Sequence, residues 1–157
     1  MEFLTERCQV RPFQLRDIEA FMTYRNDLDW MRYQGFKGLS YESYISTLLD
    51  EFDLTNGGQL AIIHRASDKL IGDLYVLQVG TSYWIGFAIS PTYSRQGYVR
   101  EVVSELIRSL KKLGANEILA GAHRDNMASQ QLLKKLGFQF VEMEHDDSIY
   151  RLDVSAD

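Results

Sequence analysis

Between residues 59 and 90 three apolar runs, QLAIIHR, KLIGDLYVLQV and SYWIGFAIS, follow one another with only ASD and GT between them. Links that short permit antiparallel hairpins and little else, because parallel neighbours need a crossover of a dozen residues or more. The three runs therefore form a meander, and the rest of the chain must be arranged around it. The pattern changes directly afterwards. In ISPTYSRQGYVREVVSELIRSL the last strand stops at Pro91, crosses a polar turn and continues through Gly97 into a helix from Val99. Val102, Val103, Leu106, Ile107, Leu110 and Leu113 share one face of that helix, and Gly114 is placed to stop it. A strand, EILAGA, a helix from near Asn126 to Gly137, and a terminal hairpin of FQFVEME and IYRLDV complete the chain.

Ahead of the meander, CQVRPF reads as a short edge strand, since Pro12 is tolerable only where no ladder bond is required. LRDIEAFMTYRND carries Leu15, Ile18, Phe21 and Met22 at helical spacing. Ser40 is suited to cap a second helix striped by Tyr41, Tyr44, Ile45, Leu48 and Leu49. The order β-α-α-β-β-β-α-β-α-β-β predicts an α/β fold, a mixed α+β sheet with helices packed against it. With 157 residues and no repeat, low-complexity tract or linker, residues 1–157 suit one domain.

Seventeen basic residues, dispersed rather than bunched, stand against 22 acidic ones, a net charge of −5. That distribution argues against a nucleic-acid partner and slightly favours a cationic one. No apolar run approaches the ~18 residues of a membrane span, and MEFLTERCQVRPF lacks a basic leader, so a cytoplasmic protein without a membrane partner is expected. Cys8, the single cysteine, is expected to be a small buried residue of the first strand. His64, His123 and His145 show no ligand-type spacing, and no metal is expected.

Two junctions carry chemistry. At the strand-to-helix turn, the first N–H groups of the helix, Gln96 to Val99, have no partner inside it and can receive an anion. Gly97 allows close approach, and Arg95 and Arg100 add positive charge. The bland alternative is a connecting turn in which Ser94 caps the helix. In DNMASQQLLKKLGF, Asn126, Ser129 and Leu133 project from one helix face. There the bland alternative makes Asn126 an N-cap, Ser129 its first-turn partner and Leu133 a core residue. Neither G-x-G-x-x-G nor G-x-x-x-x-G-K-[ST] occurs in the chain.

Taken together, ISP, then SRQGYVRE, then N-x-x-S followed by LGF, resemble the GNAT superfamily of acetyl-CoA-dependent N-acetyltransferases. The resemblance extends through TERCQVRPFQLRDIEAF, KLIGDLYVLQV and WIGFAISPTYSRQGYVRE and is greatest to the RimJ/RimL-like ribosomal-protein N-terminal acetyltransferases. It implies acetyl-CoA as co-substrate, with Ser94, Arg95, Gln96, Gly97, Tyr98, Val99 and Arg100 around its pyrophosphate. It further implies that SYWIGFAIS splays from EILAGA, so that the backbone of Phe87, Ala88 and Ile89 pairs with the pantetheine arm and polarises the thioester carbonyl. Asn126 would meet the pantetheine amides.

The chain departs from the family pattern at three positions. Ser94 replaces a usual Gln or Arg, Val99 replaces Gly or Ala, and Leu133 stands where many members carry a tyrosine acid. Ser129 is then the remaining donor on that face, and Ser129 and Asn126 are the candidate catalytic pair. Candidate bases are Tyr83, Glu142, Glu144, Asp146 and Asp147, with His123 close by. Trp30, Tyr33 and Phe36, in WMRYQGFKG, are candidate walls of an amine pocket or core residues, and Tyr83 is a further candidate acceptor contact. The acceptor is an amine, either a protein N-terminus or a small molecule, and a homodimer is expected. Two other classes stay open: a non-catalytic CoA-binding or regulatory domain with a decayed site, and a nucleotide-binding domain selecting ATP or NAD.

Overall fold

The computed structural model describes residues 1–155. Its strands are β1 (Phe3–Leu4), β2 (Cys8–Pro12), β3 (Gly58–His64), β4 (Lys69–Val79), β5 (Ser82–Ile89), β6 (Glu117–His123), β7 (Gln139–Glu144) and β8 (Asp147–Asp153). The helices are α1 (Ile18–Arg25), α2 (Tyr41–Leu48), α3 (Tyr98–Lys112) and α4 (Met127–Lys135). All eight strands form one mixed sheet in the order β1-β2-β3-β4-β5-β6-β8-β7, in which only β5 and β6 run parallel. The meander, the crossover through α3 and the terminal hairpin thus follow the sequence pattern. The hairpin enters with β8 against β6 and β7 outside it.

Both faces of the sheet centre are covered, which is why LAII in β3 is apolar without alternation. Leu60 and Ile62 pack with Val102, Val103, Leu106 and Leu110 of α3 and Leu133 of α4. Ala61 and Ile63 pack with Ile18 and Phe21 of α1 and Tyr44 and Leu48 of α2.

Several details differ from expectation. β2 is flanked by the two-residue β1, so it is not the outermost strand, yet β1 pairs only with Gln9 and Val10. Pro12 lies beyond that pairing and is exposed, so its missing N–H costs no ladder bond on the outer side. Leu15 sits in a short 3-10 turn and is exposed, whereas Tyr24 and Arg25 are buried. Their burial is electrostatic: the Tyr24 hydroxyl donates to Asp73 on β4, and Arg25 Nη2 lies 2.6 Å from Asp73 Oδ1. Leu49 and Leu113 fall just past their helices and are partly exposed. Ser40 does cap α2, accepting from the Ser43 N–H at 3.1 Å. Among the described residues no helix is long and apolar enough to cross a membrane.

Candidate active site

The parallel pairing of β5 with β6 runs from Ser82–Glu117 to Ile85–Ala120 and then ends. Beyond it, β5 keeps its antiparallel partner on β4 through Ile89, while β6 continues beside β8 to His123. The sheet therefore opens between Gly86–Ile89 and Gly121–His123. Strand geometry decides which backbone groups face this gap, because successive residues present their N–H and C=O to opposite neighbours. The carbonyls of Phe87 and Ile89 accept from side chains rather than from β4, so those two residues face the gap. Ala88 faces the other way, and a Cβ on Gly72 of β4 would collide with its carbonyl oxygen. Of the three backbone positions implied for pantetheine, Phe87 and Ile89 are presented and Ala88 is not.

The groups on those carbonyls come from residues 27–38. Trp30 Nε1 donates to Ile89 O at 2.8 Å, and Gln34 Nε2 donates to Phe87 O at 3.2 Å. Tyr33 reaches across and stacks on His123 at the end of β6, with ring centroids 4.9 Å apart and planes at 25°. The segment thus straddles the opening. Its ends are fixed from below, where Arg25, already held by Asp73, donates to Phe36 O at 2.9 Å. Asn26 accepts from the Gly38 N–H and the Tyr44 hydroxyl. Trp30 and Tyr33 are therefore at the site, while Phe36 packs edge-on to Tyr44 in the lower core. Gln34 was invisible in the sequence, where a glutamine in a loop carries no pattern.

At the carboxyl end of β5, a 3-10 turn, Pro91–Tyr93, leads into α3. The Ser94 hydroxyl donates to Pro91 O at 2.8 Å, so Ser94 closes this turn and does not cap α3. Gly97 is the N-cap residue, at φ 83°, and Arg95 is left-handed too, at φ 60°. Among the described residues the N–H groups from Gln96 to Arg100 have no hydrogen-bond partner, and neither Arg95 nor Arg100 is in an ion pair. Oriented N–H groups at a helix start, beside a glycine and two free guanidinium groups, fit a pyrophosphate. Val99 is already helical and half-buried against the core, so its bulk is directed inward. Tyr98 contributes only its backbone here, because its ring is buried.

On the other side of the opening, Asn126 caps α4. Its Oδ1 accepts from the Ser129 N–H at 3.3 Å, and its Nδ2 donates to Ser129 Oγ at 3.1 Å. With Ser129 Oγ accepting from Asn126, the hydroxyl proton is left to point elsewhere. The turn that carries Asn126 is tied by Gln130, a buried residue that sequence reading passed over. Gln130 Nε2 donates to Arg124 O at 2.9 Å and its Oε1 accepts from Tyr150. His123 Nδ1 accepts from the Asp125 N–H at 3.1 Å, which puts the proton of the neutral ring on Nε2 and makes that nitrogen a donor.

Burial decides the part played by two further residues. Tyr83 is 2% exposed and packs under α3, in phase with Ile85, so it reaches neither acceptor nor base position. Leu133 has no exposure at all, so a tyrosine there would overpack the core at about 1–3 kcal/mol. Glu142, Glu144, Asp146 and Asp147 are all exposed on the terminal hairpin, with Asp147 directly opposite His123. Among the described residues no three His, Cys, Asp or Glu side chains gather as a metal site.

The sheet thus parts between its two parallel strands, and an anion-ready helix start lies at the mouth of the gap. The model of the acetyltransferase (GNAT) domain family matches residues 7–139, and the chain belongs to that family and is an N-acetyltransferase. It is 33% identical over 144 residues to YoaA of Bacillus subtilis, an uncharacterized N-acetyltransferase, covering 86% of this chain and 81% of that one. A GNAT-family acetyltransferase from Bacillus anthracis shares the fold, with a TM-score of 0.86 at 21% identity, covering 98% and 99% of the two chains. So does RimL, a ribosomal L7/L12 alpha-N-protein acetyltransferase in complex with coenzyme A, with a TM-score of 0.83 at 14% identity over the whole of both chains.

Proposed function

We propose that the chain transfers an acetyl group from acetyl-CoA to a primary amine by direct attack within the β5–β6 opening, in the manner of the RimJ/RimL-like branch. The observation that carries this reading is the coincidence of three features at one mouth. These are gap-facing backbone at Phe87 and Ile89, unpaired N–H groups from Gln96 to Arg100, and the Asn126–Ser129 pair. Acetyl-CoA supplies the activated acyl group and a thiolate leaving group. The Phe87 N–H, facing the gap, is placed to stabilise the developing oxyanion, a role that backbone donors fill without reorganisation. Asn126 holds Ser129 by two hydrogen bonds, and Ser129 relays a proton to the departing sulfur, regaining one from solvent as it does so. The exposed hairpin carboxylates give the acceptor side a negative field that favours a cationic amine, and the amine loses its proton to solvent there. Trp30, Tyr33 and Gln34 form the wall through which the acceptor approaches. The fold shared with RimL favours a peptide N-terminus over a free small amine.

Ser129→Ala tests the assignment cleanly, because alanine keeps the N–H that Asn126 caps and removes only the hydroxyl. Stability should hold, and kcat should fall by about 10²-fold, the low end for one positioned proton donor, with acetyl-CoA affinity unchanged. Thiol release is the readout, measured over peptides with free N-termini and over small amines. An unaltered kcat on the best acceptor would assign protonation to water.

A further inference from the structure

Arg7, just ahead of β2, carries no role in the site as described so far, yet it is bonded both to the turn before α3 and to the first turn of that helix. Its Nε donates to Glu101 Oε1 at 2.7 Å, and its backbone N–H donates to Glu101 Oε2 at 2.8 Å. Thr5 Oγ1 donates to the same carboxylate oxygen at 2.5 Å and accepts in turn from the Cys8 N–H. The guanidinium lies over the Tyr98 ring, 4.0 Å from its centroid. The Tyr98 hydroxyl is 3.2 Å from His64 Nε2. One of the two remaining arms of the guanidinium, Nη1, donates to the carbonyl of Gln96 at 3.1 Å.

That last contact is the informative one. A peptide group is planar and trans, so its C=O and the following N–H point in opposite directions. Drawing the Gln96 carbonyl toward Arg7 therefore turns the Gly97 N–H away from Arg7 and into the run of unpaired donors. The turn has a reason to need such a hold. Arg95 and Gly97 are both left-handed, and the peptide between Gln96 and Gly97 sits where the chain reverses, free of any other backbone bond. Glycine at 97 leaves that peptide free to flip unless something grips its carbonyl.

We propose that Arg7 is a positioning residue for the diphosphate of the acyl donor. It acts not by touching the anion but by fixing the orientation of the Gln96–Gly97 peptide, with Glu101 and Tyr98 holding the guanidinium in place. The proposal rests on the reading that the turn binds the diphosphate of acetyl-CoA. Arg7 and Glu101 are 94 residues apart, more than half of the chain, so the arrangement makes an N-terminal segment part of the cofactor end of the site.

The test compares wild type, Arg7→Met and Arg7→Lys by calorimetric titration with acetyl-CoA at low and at 0.5 M salt. An NMR titration with acetyl-pantetheine, which lacks the diphosphate, runs in parallel. Arg7→Met should weaken acetyl-CoA binding by about tenfold or more, as expected for one misaligned hydrogen bond to a charged group, and the loss should persist in high salt. Acetyl-pantetheine binding should be unchanged. Lysine offers donors without the fork needed to serve both Glu101 and Gln96, so Arg7→Lys should be intermediate. Equal losses for the two donors would mean a general effect on the fold, and a loss that vanishes in high salt would mean a bare charge; either overturns the proposal, as does unchanged acetyl-CoA affinity. A wild-type protein that fails to bind acetyl-CoA would instead refute the reading beneath it.

Discussion

Trp30→Phe removes one N–H and keeps an aromatic ring, and its effect on donor binding can be worked out from the structure. In the free protein Trp30 Nε1 donates to Ile89 O at 2.8 Å. In the proposed complex a pantetheine amide pairs with the backbone facing the same gap, so binding must first break the tryptophan bond. Trp30 is 37% exposed, so its indole N–H can turn to water once displaced. The exchange is then penalised only by the net worth of one hydrogen bond, about 0.5–1.5 kcal/mol. Removing the competing donor should return that amount, tightening acetyl-CoA binding about two- to tenfold at one carbonyl. Isothermal titration of both proteins with acetyl-CoA measures it, and a faster association rate should carry much of the gain. Weaker binding by Trp30→Phe would show that the indole contacts the donor rather than competing with it, and would refute the reasoning.

Gly97→Ala should lower stability by about 1–2 kcal/mol, since a Cβ at φ 83° is disfavoured while its nearest neighbour, Arg7 Nη2 at 3.4 Å, can give way. For a chain of this size that is a fall in Tm of roughly 2–8 °C, read by calorimetry, and an unchanged Tm would place this backbone elsewhere. Burial pushes the Glu101 carboxyl up, but hydrogen bonds from Thr5 and Arg7 and the Arg7 charge outweigh it and hold the group below its ordinary value of 4.5. A lowered folded value means that its stabilisation is complete above about pH 4.5 and is lost as pH falls through the folded value. Glu101→Gln should therefore flatten the acid limb of a Tm-against-pH curve, and parallel limbs for the two proteins would contradict this. Burial likewise raises the Cys8 thiol to about 11, so it should resist thiol reagents at pH 8 until the protein unfolds.

Local signals carried the architecture well, because each depended on neighbours in the chain. Short links fixed the meander, the apolar stripe from Val102 to Leu110 fixed α3, and Ser40 and Asn126 marked two helix starts. The resemblance supplied what periodicity could not, the parting of β5 from β6. What escaped depended on contacts far apart in sequence. Tyr83 and Trp84 are both aromatic and adjacent, and only the packing of α3 decides that Tyr83 is the buried one. Gln34, Gln130 and Arg7 look like ordinary polar residues, and what they do depends on carbonyls presented by other parts of the chain. Nothing in the spacing of the first helix marks Tyr24 and Arg25 as buried, yet Asp73, almost fifty residues on, draws both inside.

A strand that loses its partner halfway along is an invitation to pairing with a foreign chain, and proteins that tolerate one must guard it. Here the unpaired half of β5 lies within the sheet, bounded by β6 as it turns away, so an incoming strand would find no straight lane in which to lie. Trp30 and Gln34 already satisfy the carbonyls it would need. The same opening that admits a slender thioester arm is therefore guarded against edge-to-edge pairing with a foreign strand while the co-substrate is absent.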